Sequence, residues 1–355
     1  MNLIRSERSA WILGGMGVIG SAIGWVVAPT HFPHAWLAAL AFWLAWPLGS
    51  LGLLFIHALT GGRWGFAIRR ELAAGVATLQ LLLPALLPML FVLHALYPWM
   101  HPDIAAQLDN RWYLNAPFFY VRCMVYLIVW FALGLAVLRA LKHEDPHPLL
   151  YRMAPPGLIL LALTVTFAAI DFTLSLEPRF SSSIYGMLVI SEAVLLALTI
   201  AVLGAAFADP PAGETIHDLG RLLFALLVLW AYLDFMQVLI VWNSDLPDEA
   251  NWYLHRLAGG WAVVAAFIAI FHFVLPFFAL IWPQVQRSRV ALASLAALLA
   301  LTEISRAWWI VIPAAGRNLS PLDGAAMLAL IGLGAGIALR SLRRAPPQLK
   351  VASHG

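Results

Sequence analysis

Residues 183–208 read SIYGMLVISEAVLLALTIAVLGAAFA, an apolar run interrupted by one charge, Glu192. A helix needs about 20 apolar residues to cross a hydrocarbon core about 30 Å thick, so this run reads as a membrane span. A carboxylate inside such a span costs at least about 2.5–3.5 kcal/mol on insertion scales. It persists only where a partner, a cavity or a task compensates. The same apolar pattern recurs at roughly 9–28, 34–59, 73–97, 116–142, 154–176, 217–243, 257–282, 287–312 and 321–341. The 355 residues are 62% hydrophobic and 11% charged, with mean hydropathy +0.85, which excludes a soluble globular class. The chain is expected to be an all-α polytopic integral membrane protein of about ten transmembrane helices.

The first span is too long for a signal peptide, and nine more follow it. Loops are short, so residues 1–344 read as one membrane domain and 345–355, APPQLKVASHG, as a disordered cytoplasmic tail. With the N-terminus inside, the inner segments carry Arg5, Arg8, Arg63, Arg69, Arg70, Arg139, Lys142, Arg152, Arg221, Arg287, Arg289, Arg340, Arg343, Arg344 and Lys350. The outer loops carry only Arg111, Arg179 and Arg317, with Arg256 at a span mouth. This asymmetry places both termini in the cytoplasm of a bacterial inner membrane. The net charge of +3 forms no stripe suited to nucleic acid. The single cysteine, Cys123, excludes an internal disulfide and a cysteine-ligated iron–sulfur cluster within the chain.

Gly15-Met16-Gly17-Val18-Ile19-Gly20 matches a dinucleotide fingerprint in letters only, because it lies within an apolar helix with no preceding strand. The spacings Gly20/Gly24 and Gly332/Gly336 suit close helix contact, so the first and tenth helices are expected to dock on a neighbour.

The polar residues inside the spans are Arg122, Asp171, Glu192, Asp234, Gln237, Glu303 and Arg306, with His94 near the outer end of the third span. By depth along their helices nearly all fall in the outer half. Arg122, Asp171, Asp234 and Gln237 are therefore expected to converge on one outer cavity. Two arginines face four carboxylates, and arginine stays charged. Two carboxyl groups are left to hold a proton or to face a histidine. Two readings follow: a proton relay, or static interhelical clamps such as Glu303 with Arg306. The span histidines His57, His94 and His272 are not placed as a haem pair. No metal site and no catalytic triad is expected, and the chain is read as non-catalytic alone. The rim between the seventh and eighth spans holds Trp242, Asn243, Glu249, Trp252, Tyr253 and Arg256. A headgroup belt accounts for its aromatics. The acids and Arg256 suit a partner-docking face or a cavity mouth. Asn115, capping the fourth span ahead of Pro117, joins these candidate quinone or partner contacts.

Four stretches carry a family resemblance: NAPFFYVRCMVYLIVW (115–130), DFTLSLEPRFSSSIYG (171–186), YLDFMQVLIVWNSDLPDEANWYLHRLAGGW (232–261) and FHFVLPFF (271–278). Together they resemble the polysulfide-reductase-type (NrfD-like) membrane subunits, in particular the second such subunit of alternative complex III. The resemblance implies helices 2–5 and 6–9 as two four-helix bundles, flanked by helices 1 and 10. It implies a quinol-oxidising respiratory complex containing another NrfD-like subunit, an iron–sulfur protein and a multihaem cytochrome c. It places the family's functional positions on Arg122, Asp171, Asp234 and Gln237. A proton-conducting role, a quinone pocket at Arg122, Asp171 and Gln237, and secondary transport remain as alternatives. No cofactor is expected on the chain itself beyond a quinone.

Reporter fusions test the orientation. Fusions in the 143–153 loop and after Lys350 should both report cytoplasm, and a periplasmic signal from either would reverse the assignment.

Overall fold

The computed structural model describes residues 3–208, 213–244 and 246–345. The expected tail from 346 onward, and Asp245 of the outer rim, lie outside the described residues. Ten helices are long and apolar enough to cross a membrane. They are α1 (Leu3–Val27), α2 (Phe32–Thr60), α3 (Arg63–Phe91), α4 (Ala116–Ala140), α5 (His147–Leu176), α6 (Tyr185–Phe207), α7 (Gly213–Asn243), α8 (Trp261–Ile281), α9 (Arg289–Ala315) and α10 (Pro321–Arg343). No strand forms among the described residues. The chain is an all-α polytopic membrane protein. An even number of crossings puts the start of α1 and the end of α10 on one side.

Helices α2–α5 pack as one four-helix bundle and α6–α9 as a second. The two meet along α2, which touches α6 and α9 as well as α3, α5 and α10. A helix that is apolar all round belongs in a core, and α2 is such a helix. Leu37, Ala38, Leu51 and Phe55 have no solvent-accessible surface. At Gly49 the α2 backbone approaches Ala193 of α6 so closely that a side chain there would strike the α6 carbonyl. That contact seats Glu192 at the boundary between the bundles.

Helices α1 and α10 dock on each other, and α10 in turn packs on α2 and α3. Small residues form the seam. A Cβ on Gly14 would lie 2.7 Å from the backbone nitrogen of Leu333, and Gly332 sits directly on the Gly14 backbone. Gly20 and Gly24 face Ala325 and Leu322, and Gly336 faces Trp11. Of the glycines of the apparent dinucleotide fingerprint, Gly17 and Gly20 are thus helix-packing residues, whereas Gly15 faces open space.

Several boundaries differ from expectation: α1 begins at Leu3 rather than 9 and α5 at His147 rather than 154. Helix α3 begins at Arg63 rather than near 73, because Arg69 and Arg70 lower the local hydropathy although Arg69 is buried under the ring of Phe66. It ends at Phe91 rather than 97, with 3₁₀ turns at Thr78–Leu81 and Leu87–Phe91. Pro84 and Pro88 each remove a backbone donor and force these turns. The expected outer loop 244–256 contains a helix, Pro247–Leu257. Its signals are local: proline at the start, Asp248 and Glu249 in the first turn, His255 and Arg256 in the last. Helix α8 carries a π turn at Ala269–Val274, just ahead of Pro276. Proline clashes with the carbonyl four residues earlier, that of His272, and the wider turn relieves the clash.

Gly332→Leu tests the seam. Overpacking should destabilise the detergent-solubilised chain by roughly 1–3 kcal/mol. Gly15→Leu, where a Cβ meets nothing within 4 Å, should leave its melting temperature unchanged. Equal melting temperatures for the two variants would show that the seam contributes nothing.

Candidate functional site

The buried polar residues fall into two clusters, one in each bundle. In the first, Arg122 of α4 grips Asp171 of α5 through both carboxylate oxygens, Nε to Oδ2 at 2.8 Å and Nη2 to Oδ1 at 2.7 Å. Its remaining Nη1 donates to the Tyr113 carbonyl at 2.9 Å. The guanidinium lies between the rings of Tyr113, 3.8 Å away, and Phe118, 4.5 Å away. Tyr126, one turn after Arg122 on the same helix face, donates to Asp171 Oδ2 at 2.6 Å. Burial raises the Tyr113 phenol above its ordinary value, so it stays neutral beside the pair. A buried bidentate arginine–carboxylate pair, held further by Tyr126 and the Tyr113 carbonyl, is a clamp.

The second cluster draws one ionisable side chain or more from each of α6, α7, α8 and α9. Arg306 of α9 bridges two carboxylates. Its Nε donates to Glu192 Oε1 of α6, and its Nη2 donates to Asp234 Oδ1 of α7 at 2.9 Å. Trp230 of α7 lies under the guanidinium at 5.0 Å. Glu303, one turn before Arg306, turns instead to His272 in the π turn of α8. Its Oε2 faces His272 Nε2 at 3.4 Å, and that nitrogen makes no hydrogen bond. The other ring nitrogen, Nδ1, pairs with Thr302 Oγ1 at 2.7 Å. The expected Glu303–Arg306 clamp is therefore not formed. Helix α9 runs on to Ala315, so Glu303 sits at its middle rather than in its outer half. His272 of α8 meets it there. All these side chains are buried except that of Asp234, which is 34% exposed.

Between the bundles lies a cavity of about 80 Å³, lined by Glu192 and Glu303 together with Phe42, Trp130, Thr173 and Tyr185. That volume admits a few water molecules. At its edge Thr173 Oγ1 of α5 pairs with Tyr185 Oη of α6 at 2.8 Å, across the two bundles.

The single outer cavity expected for Arg122, Asp171, Asp234 and Gln237 is not formed. Arg122 and Asp171 satisfy each other within the first bundle. Asp234 goes to Arg306, and Gln237, buried one turn away, accepts from Ser182 at 2.9 Å. His94 joins neither cluster. It lies exposed beyond the end of α3, where its carbonyl accepts from His101. The Asn115 side chain caps α4, accepting from Phe118 N at 3.0 Å and donating to Trp112 O at 2.8 Å, so it is occupied. On the rim, Trp242 and Asn243 are exposed, Glu249 accepts from Ser181, and Tyr253 packs edge-on against Trp252. Trp252 and Arg256 are buried and do not offer a docking face. Arg256 pairs with Glu177 at 2.5 Å, donates to the Trp252 and Ile310 carbonyls, and lies 3.6 Å from the Trp252 ring. Burial lowers its guanidinium from the ordinary value, and Glu177 pushes it back.

Tyr126, Glu177, Trp230 and Thr302 belong to these sites without having been singled out in the sequence. Tyr126 was legible from its helical spacing to Arg122, and Thr302 from its place beside Glu303. No three His, Cys, Asp or Glu side chains are grouped for a metal ion among the described residues. No family model matches the chain, and neither does any curated protein.

Asp171→Asn should strand the Arg122 charge and destabilise the chain by about 3–5 kcal/mol, read as a fall in melting temperature. A paired Arg122→Met, Asp171→Leu variant should recover much of the loss. If the single variant melts with the native chain, the clamp is not structural.

Proposed function

We propose that the chain is an integral membrane subunit of a quinol-oxidising respiratory electron-transfer complex in a bacterial inner membrane, and that its part is to conduct protons. The NrfD-like resemblance supports the first half of this reading. It brings with it the partners: a second NrfD-like subunit, an iron–sulfur protein and a multihaem cytochrome c. One observation carries the second half: a single arginine, Arg306, stands among three carboxylates, the buried Glu192 and Glu303 and the partly exposed Asp234, and pairs with only two of them. One fixed positive charge does not neutralise three carboxylates, so the cluster stores protons in its resting state. Asp234 is the member that reaches the surface. Glu192 and Glu303 both line the cavity between the bundles, and His272 stands next to Glu303. A proton entering at Asp234 crosses to Glu192 beside Arg306, then through cavity water to Glu303 and His272. The first cluster, closed on itself, holds α4 to α5 while this happens.

A quinone-binding role is the second reading. An apolar groove of about 450 Å³ runs beside the unwound stretch of α3, lined by Leu87, Leu90, Phe119 and Met124 among others, and would suit an isoprenoid tail. Neither Arg122 nor Asp171 lines that groove. Secondary transport fits less well, because the broken stretches of α3 carry no ionisable side chain toward a substrate.

Asp234→Asn and Glu303→Gln decide the matter. Arg306 keeps Glu192 in the first variant and both its carboxylates in the second, so both should accumulate in membranes at the native level. Proton uptake coupled to quinol oxidation should fall by about tenfold or more, as expected on removing one member of a proton-transfer chain. Native coupled turnover in both variants would remove the proton-conducting role.

A further inference from the structure

We propose that the inner face of the chain carries a binding site for the phosphate headgroup of an anionic glycerophospholipid, in the groove between α1, α3, α4 and α10. The groove has a volume of about 980 Å³. Five cations line it: Arg70 from α3, Arg139 from α4 with Lys142 just beyond its end, and Arg340 from α10 with Arg344 just beyond its end. No carboxylate lines it among the described residues. A preference for cations on the inner side explains their presence at this depth. It does not explain why those of three helices meet in one cleft, where like charges repel.

The chain pairs other inner-face cations with its own acids. Arg63 reaches Glu214 at 2.6 Å, and Arg343 reaches Glu7 at 3.0 Å. In this groove no such acid is supplied. Arg70 turns one Nη to the Leu342 carbonyl at 3.4 Å, and its buried Nε makes no hydrogen bond. The described residues supply this lining with no acidic side chain, and such a lining suits an anion from outside them.

The shape of the lining specifies a lipid rather than a soluble anion. Below the cations the walls are Trp11, Leu81, Pro84, Leu135 and Ile337. From Arg70 to Pro84 the lining extends about 20 Å along α3, a length that accommodates an acyl chain under a headgroup. Basic pockets between transmembrane helices on the cytoplasmic side bind such headgroups. The orientation assigned above puts the site in the cytoplasmic leaflet.

Native mass spectrometry of the purified, delipidated full chain tests this. Phosphatidylglycerol, cardiolipin and phosphatidylethanolamine with matched acyl chains are added in turn, and inorganic phosphate in a separate arm. Both anionic lipids should remain bound and the zwitterionic lipid should not. Raised salt should release them. The Arg139→Gln, Lys142→Gln double variant should retain anionic lipid about twentyfold less, from roughly fivefold per cation. Arg287→Gln, at the inner end of the other bundle, should retain it as the native chain does. Lys142 and Arg139 are exposed, so the lipid-free melting temperature should not change. Equal retention of phosphatidylethanolamine, undiminished retention by the double variant, or binding of inorganic phosphate as strong as that of lipid would overturn the assignment.

Discussion

An arginine keeps its charge at any depth in a membrane, and hydrocarbon offers it no solvent. The packing of this chain depends on meeting that requirement at Arg122 and Arg306. The two solutions differ. Arg122 is given one carboxylate, both of whose oxygens it holds, and two aromatic faces. Arg306 is given two carboxylates on different helices, with a third carboxyl group one turn away. The first arrangement is complete and closed. The second has acid in excess and one edge at the surface.

The bundles explain why the two arginines do not share partners. Helix α2 stands between them as an apolar column, and Gly49 lets α6 come against it. Polar side chains on α4 and α5 are turned toward each other, those on α6–α9 likewise. Between the halves, beside the packing of α2 on α6 and α9, lies the small cavity that Glu192 and Glu303 line from one side.

Hydropathy made most of the fold legible. Seven of the ten spans begin within about four residues of the expected position, and α1, α3 and α5 begin earlier than expected, since an apolar run of sufficient length is a local property but the polar turns that lead into it are not. Helix α3 was misplaced because Arg69 hides its charge in packing, which composition does not report. The rim helix was overlooked although Pro247, its acids and its terminal Arg256 are all local signals. The buried polar set was legible from cost alone, since each charge in a span demands a reason. Its pairings were not. Depth along a helix follows from counting, but the direction a side chain takes depends on the rotation of that helix against its neighbours. Glu303 and Arg306 are adjacent on one face and still choose different partners, because the π turn brings His272 to the one and α6 and α7 bring acids to the other.

The seam between α1 and α10 has a consequence for how the molecule is made. The first of the described spans to leave the ribosome rests on the last. Until α10 is in the membrane, the glycine face of α1 has only lipid against it, and lipid tails fill such a shallow groove poorly. Until then α1 is held by its short link to α2, residues 28–31, and by a slight contact with it. Insertion of α10 supplies the seat, so the docking of α1 waits on the last of the described spans.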